Sequence, residues 1–294
     1  MTLSFCKIFD TIVQQGSFLK TADLLAMTPS AVSHAVKDAE KEVGFQIFNR
    51  TKNGITLTES GSALYPAVLQ ILNGESALDQ TINQLRGLEK GTAKIGIFNS
   101  TCTNWMPDII RIFNKRFPDI NIEIYEGGYD DVIYWIKTGV VEFGFLSTTC
   151  TTELTVEPLY RDPLICIVPP DFKTEREGVI TIDEMKGEQF VIQREGSDAD
   201  VQVLIDKYGL KFQAKCHVLD DTSVMSLIGC GQGISVMPKL TAKGLEGNLK
   251  VLRLEPDECR IIGLSALNKK LLSPAAKQLY KCIVEYVSSL PQEM

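Results

Sequence analysis

No run of about 18 apolar residues occurs anywhere in this 294-residue chain, so no ordinary transmembrane helix is expected. The N-terminus carries Lys7 and Asp10 among its apolar positions and lacks a small-residue cleavage site, which argues against a secretory leader. The patterns of the common enzyme classes are also missing. There is no His-Glu-x-x-His, no Gly-x-Ser-x-Gly, no Gly-x-Gly-x-x-Gly and no phosphate-loop Gly-Lys-Ser/Thr. Histidine is scarce, with only His34 and His217. The eight cysteines (6, 102, 150, 166, 216, 230, 259, 282) form no CxxC pair and no Cys–His cluster at metal spacing. These absences nominate no catalytic residue, no metal site and no cofactor. The expectation is a cytoplasmic protein, not an enzyme and not at a membrane, whose thiols are reduced and act as small hydrophobes.

Hydrophobic content of 44% supplies real cores, and the length suggests about two domains. The most informative stretch is Ser17–Gly61. Ser17 can cap a helix whose Phe18, Ala22 and Leu25 share one face. Ala26-Met27 makes a turn, and Thr28-Pro29 starts a second helix with a capping hydroxyl followed by proline. Val32, Ala35, Val36, Ala39 and Val43 then form a buried stripe that packs on Phe5, Ile8, Phe9 and Ile12 of a leading helix. Ser30, Ser33, His34 and Lys37 remain on the solvent face, small hydrogen-bonding groups first and a cation one turn on. A recognition helix in a major groove needs that arrangement. Asn53-Gly54 is a preferred two-residue hairpin turn, and Arg50 and Lys52 beside it suit phosphate contacts. The DNA-binding candidates are therefore Thr28, Ser30, Ser33, His34, Lys37, Arg50 and Lys52, in a winged helix-turn-helix.

Gly16-Ser17-Phe18, Ala22, Leu25, Pro29-Ser30-Ala31-Val32-Ser33, Glu40, Gly44, Ile47-Phe48-Asn49-Arg50, Leu57-Thr58 and Gly61 stand in the order and spacing of a known family. The chain resembles the bacterial LysR-type transcriptional regulators over essentially its whole length. Thr21 and Ala39 depart from the family pattern, and both are small enough to keep the packing. The resemblance implies an N-terminal all-α winged helix-turn-helix plus linker helix. It also implies a C-terminal α/β, periplasmic-binding-protein-like (type 2) effector domain of two Rossmann-like subdomains joined by two crossover strands. The expected boundaries are 1–58 for DNA binding, 59–90 for linker and hinge, and 91–294 for the effector domain. Within the last, subdomain I takes 92–162 and 268–294, and subdomain II takes 163–267. The implied partners are double-stranded promoter DNA, a small-molecule effector in the cleft, and further copies of the chain, a homodimer assembling to a homotetramer.

The residues support several of these points independently. The formal net charge is −7, yet residues 1–58 hold six Lys/Arg against five Asp/Glu, while the remainder holds 24 against 32. So slight a positive excess gives weak non-specific DNA affinity per copy, which favours an oligomer on two or more half-sites. Leu64, Val68, Ile71, Leu78, Ile82 and Leu85 follow spacings of four and three, a heptad seam of about three repeats. Pro66 should bend that helix or mark its effective start. From Lys94 onward, strand-like runs (Lys94–Phe98, Ile120–Tyr125, Phe143–Leu146, Leu164–Val168, Phe190–Ile192, Ile234–Met237) alternate with helical patterns, the signature of an α/β domain with largely parallel sheets.

Ligands in such folds bind beyond the carboxyl ends of strands. Asn99-Ser100-Thr101-Cys102-Thr103 follows the first strand and opens a helix, a setting that suits a carboxylate or other anion. Ser147, Gln193 and Thr222 lie at other strand ends, so the effector-binding candidates are Ser100, Thr101, Ser147, Gln193 and Thr222. Arg194 would pair with an acidic effector. Cys102, in a first helical turn, could have a lowered pKa and make the chain a redox-responsive regulator, although no resolving cysteine is near in sequence. A standalone solute-binding protein, or an enzyme with a Cys102–His217 pair, are the rivals of a different class.

Overall fold

The protein is described by a computed structural model covering residues 1–294 except 53, 151–153, 194–198, 211–212, 219, 245–246 and 292–294; for 193 and 213–218 only the backbone is described. Capping chemistry starts the N-terminal helices. Thr2 caps α1 (Leu3–Gln15), Ser17 caps α2 (Phe18–Leu24) and Thr28 caps α3 (Pro29–Val43), each hydroxyl accepting a first-turn N–H. Val32, Val36 and Ala39 of α3 are buried against Phe5, Ile8, Phe9 and Ile12 of α1, with Phe18, Leu25, Ala35 and Val43 partly buried around them. The hairpin β1 (Phe48–Thr51) and β2 (Gly54–Leu57) is the wing. The Asn53 half of its turn lies outside the described residues.

The wing is tied to the helices by the backbone. Glu40 on α3 accepts from the N–H groups of Ile47 (2.8 Å) and Phe48 (3.3 Å). Thr58 caps the linker helix α4 (Glu59–Leu85) and donates its hydroxyl to the carbonyl of Gln46 at 2.7 Å. At Gly61 a Cβ would sit 2.1 Å from the Ile47 carbonyl oxygen, so only glycine allows α4 to start this close to the wing. Because α4 begins at Glu59, Pro66 lies inside it and does not mark its start. Leu64 and Val68 pack into the N-terminal core, so the heptad seam loses its first two members, while Ile71, Leu78, Ile82 and Leu85 are exposed.

The second domain unfolds along the chain as β3 (Gly91–Ile97), α5 (Asn99–Asn104), α6 (Met106–Arg116), β4 (Ile120–Glu126), α7 (Tyr129–Thr138), β5 (Phe143–Ser147) and the long β6 (Val156–Val168). Then come β7 (Val179–Thr181), α8 (Ile182–Met185), β8 (Gln189–Gln193), α9 (Ala199–Tyr208), β9 (Gln213–Val218), α10 (Asp221–Gly229), β10 (Ser235–Pro238), α11 (Lys239–Ala242), β11 (Lys250–Glu255), β12 (Cys259–Ala266) and α12 (Pro274–Ser289). The large sheet runs β4-β3-β5-β12-β6-β11-β7, with β10 also pairing β6. β3 is parallel to β4 and β5, as alternating strands and helices require.

Among the described strands of this domain, the antiparallel pairs all involve β6 or β12, where the chain crosses between subdomains. The first part of β6, to Pro163, pairs with β12, and the rest pairs with β10 and β11. β12 also pairs with β5, so a strand that the boundary at 267 puts in the second subdomain hydrogen-bonds into the first. One apolar core lies under β3, β5, α6 and α12, and a second under β6, β8, α9 and β11. No described helix is long and apolar enough to cross a membrane.

A buried amide joins the linker helix to the second domain. Gln80 is 5% exposed; its Nε2 donates to the Thr92 carbonyl (3.1 Å) and to Ser76 Oγ (3.2 Å), and its Oε1 accepts from the Ala275 N–H (3.1 Å). That N–H belongs to the first turn of α12, where the helix has no internal acceptor. A Cβ at Gly91 would meet Gln80 Cδ at 2.5 Å. Asn73 adds a bond to the Gly139 carbonyl at 2.7 Å. Gln80→Leu strands the buried Ala275 N–H at about 1–3 kcal/mol and also leaves the half-buried Thr92 carbonyl without this partner. Calorimetry of the full chain should show the C-terminal transition lowered by several degrees, and an unchanged transition would contradict the clamp.

Candidate DNA-reading face and effector cleft

On α3 the residues left out of the core form one polar edge. Thr28, Ser30, His34 and Lys37 are exposed, and Ser33 is half-buried. Thr28 is both cap and neighbour, its hydroxyl 3.0 Å from that of Ser30. Arg50 of the wing crosses to this edge: its guanidinium lies 4.7 Å from the centre of the Phe18 ring and donates to Ser33 Oγ at 3.4 Å. Lys52 projects from the exposed tip of the same hairpin. The structure thus joins Thr28 to Ser30 and Arg50 to Ser33, while His34, Lys37 and Lys52 are exposed on the same helix and hairpin.

Between the subdomains lies a cleft of about 760 Å3. The first subdomain supplies Phe98, Ser100, Glu126 and Tyr129; the second supplies Asp220, Asp221, Thr222 and Lys243. Its wall is organised by Arg260 on β12, which is 4% exposed and stacked over Phe98 at 5.1 Å. Arg260 donates through Nε (2.9 Å) and Nη2 (2.8 Å) to Asp162, through Nη2 to Ser100 Oγ (2.8 Å), and through Nη1 to the Tyr129 hydroxyl (3.1 Å). The other oxygen of Asp162 accepts from the Leu240 N–H at 2.9 Å. Tyr129 donates in turn to Asp200, which also accepts from Ser147 Oγ (2.6 Å) and from the Thr149 hydroxyl. One hydrogen-bonded chain thereby runs from β12 through α7 of the first subdomain to α9 of the second.

Carboxylate chemistry at the cleft is set by burial and neighbours. Burial, and then the adjacent Asp220, pushes the Asp221 carboxyl up against the pull of Arg260. Asp220 is held below the usual range by the Ser223 N–H and hydroxyl, which it caps. Burial raises the Cys102 thiol, and Glu126 raises it further. That is the opposite of the lowered pKa a reactive thiolate needs.

Sequence comparison assigns residues 3–62 to the bacterial regulatory helix-turn-helix proteins of the lysR family, and residues 86–288 to the LysR substrate binding domain. The chain belongs to the LysR family. It is a LysR-type transcriptional regulator with a DNA-binding helix-turn-helix and an effector-binding domain. It is 26% identical over 280 residues to YvbU of Bacillus subtilis (strain 168), an uncharacterized HTH-type transcriptional regulator, covering 94% of this chain and 96% of that one. Its fold is shared with full-length OxyR from Pseudomonas aeruginosa (TM-score 0.74, 17% identity, 99% of each chain). It is also shared with full-length CbnR complexed with its target DNA (TM-score 0.68, 16% identity, 97% of this chain and 100% of that one).

The effector candidates of this LysR-type chain divide. Ser100 and Thr222 line the cleft. Thr101 does not: it is fully buried, and its hydroxyl bonds the Phe98 carbonyl at 2.8 Å because it caps its own helical turn. Ser147 is also fully buried and donates to the buried Asp200, neither of them lining the cleft. The Gln193 side chain and Arg194 lie outside the described residues. The sequence reading missed Arg260, Asp162, Tyr129 and Asp200. A signal existed in Arg260, a cation inside the apolar strand Cys259–Ala266, and in Asp162, just ahead of the apolar run Leu164–Val168. Charges in such places are paired or absent. Asp162→Ala leaves the Arg260 charge buried without its counter-ion, and should lower stability by about 3–5 kcal/mol, read as an earlier urea midpoint for the full chain.

Proposed function

We propose that Ser30, Ser33, His34 and Lys37 read base edges and phosphates in a major groove, with Thr28 at the helix start and Arg50 and Lys52 on flanking phosphates. The observation that carries this is the single exposed edge of α3, polar along its N-terminal half and continuous with the wing cations, above a fully apolar buried face. The fold is shared with CbnR, whose structure was determined complexed with its target DNA, which supports DNA as the partner of this domain. Residues 1–58 form the reader, 59–90 the linker and 91–294 the sensor. Ile71, Leu78, Ile82 and Leu85, exposed on α4, pair two copies of the chain, and two such dimers make a tetramer over a longer site. An effector seated between the subdomains favours one of their arrangements and re-spaces the readers through α4. The protein works in the cytoplasm on promoter DNA and performs no catalysis. Redox sensing through Cys102 is disfavoured by its raised pKa.

Ser33→Ala or Lys37→Ala should weaken operator binding by about 1–3 kcal/mol, and Lys37→Ala should also flatten the salt dependence by about one unit of slope. Gel shifts across a salt series check both, and operator binding at full strength by both variants rules out this face. Ser100→Leu drives a larger side chain against Arg260. It should abolish the effector response in footprinting while leaving operator affinity unchanged; an unaltered response removes Ser100 from the site.

A further inference from the structure

We propose that Phe18 is a positioning residue for DNA binding: its ring, with the Ser33 hydroxyl, holds the Arg50 guanidinium where a phosphate of the duplex meets it. This rests on the reading of Arg50 as a phosphate contact and names what sets the place of that contact. Arg50 is exposed on β1, and an exposed arginine ordinarily samples many rotamers. Here the side chain does not hang free. Its guanidinium carbon lies 4.7 Å from the centre of the Phe18 ring, and Nη2 donates to Ser33 Oγ at 3.4 Å. One side chain of the wing is thus held by α2 through an aromatic ring and by α3 through a hydroxyl.

The ring that receives the guanidinium is itself fixed. Phe18 packs into the N-terminal core and stands edge-on to Phe48, with ring centres 6.4 Å apart and planes at 88°. Phe48 and Arg50 are two residues apart on β1, so they leave the strand on the same side. The second wing strand is pinned to the same corner. The Ile55 N–H donates to the Gly16 carbonyl at 2.9 Å, and a Cβ at Gly54 would stand 2.9 Å from that oxygen. Ile55 is the register partner of Arg50 in the hairpin. The backbone that carries Arg50 is therefore anchored beside Phe18 by contacts that do not involve the arginine side chain.

The charge of Arg50 is left for DNA. Among the described residues no carboxylate pairs with it, whereas Lys7 of the same domain is neutralised by Glu75. A ring and a neutral hydroxyl orient the guanidinium without cancelling its charge. The rest of its fork remains for a phosphate, whose geometry arginine matches with two parallel bonds. Residues 1–58 hold only six Lys/Arg against five Asp/Glu, so the reader has little general attraction for DNA. Its affinity has to come from cations placed in advance, since a side chain already ordered gives up less freedom on binding.

The test is a double-mutant cycle read by fluorescence anisotropy, with the full chain and a DNA duplex that the parent chain has selected from a random-sequence library. Phe18→Leu should weaken binding of that duplex by about three- to thirtyfold, and Arg50→Ala should weaken it at least as much. The two losses should not add: once Arg50 is gone, the Phe18 substitution should change affinity by less than about twofold. A Phe18→Leu loss that is undiminished in the Arg50→Ala background makes Phe18 a core residue only and overturns the proposal, as does full-strength binding by Phe18→Leu. Arg50→Lys tests the same point without touching the core, since it keeps the charge on an exposed wing residue but has no planar fork to lay on the ring. It should lose most of what Arg50→Ala loses, and parental affinity overturns the proposal even if Phe18→Leu fails to fold. Full-strength binding by Arg50→Ala is a different failure: it removes the phosphate contact itself, and with it the reading on which the role of Phe18 rests.

Discussion

Arg260 and Asp162 face each other as direct partners on β12 and β6, and the polar framework of the cleft is built outward from that pair. Two charges removed from water are tolerated only when their geometry is good and every remaining donor and acceptor is filled. Here the guanidinium fork meets one carboxylate oxygen, the Leu240 N–H meets the other, and Ser100 and Tyr129 take further N–H groups. Since β6 is the strand that leaves one subdomain and enters the other, the pair stands where the two halves of the sensor are joined. Tyr129 and Asp200 extend the same network across the cleft, so a ligand there meets groups whose positions are already coupled.

The reader is attached to this sensor through few but specific contacts. Thr58 and Gly61 fix where α4 leaves the wing, and Gln80 and Asn73 fix where it meets the second domain. Lys7 and Tyr65 add bonds between α1 and α4, to Glu75 and from Tyr65 to Asp10. The linker helix is therefore bonded to both domains along its length. Any rearrangement that a ligand favours in the sensor has a bonded path to the recognition helix, and its size is limited by the difference in ligand affinity between the two arrangements.

Much of the fold was legible because local chemistry and periodicity agree. Thr28-Pro29, the stripe Val32, Val36 and Ala39, and Gly44 in the left-handed region all act on α3 within a few residues of one another. The strands Ile120–Glu126 and Phe143–Ser147 likewise carry their own pattern. The crossover strand β12 was not legible, since its identity depends on pairing with β5 and β6 far away in the chain. The linker seam was legible as a period but not in its division. Leu64 and Val68 look the same as Ile71 and Leu78 in sequence, and only packing on α1 separates the buried pair from the exposed one.

The candidate site follows the same rule. The amino-acid sequence determined the reader by itself: caps, small residues and cations at helical spacing fix which face of α3 is polar, because that periodicity is local. It determined the α/β class of the sensor for the same reason. Only the tertiary structure decided what the cleft presents. Thr101 turned inward, Ser147 became the partner of Asp200, and Arg260 arrived beside Ser100 from 160 residues away. Electrostatic character is a sum over groups that the chain brings together from distant positions, and no local pattern around Ser100 carries that sum.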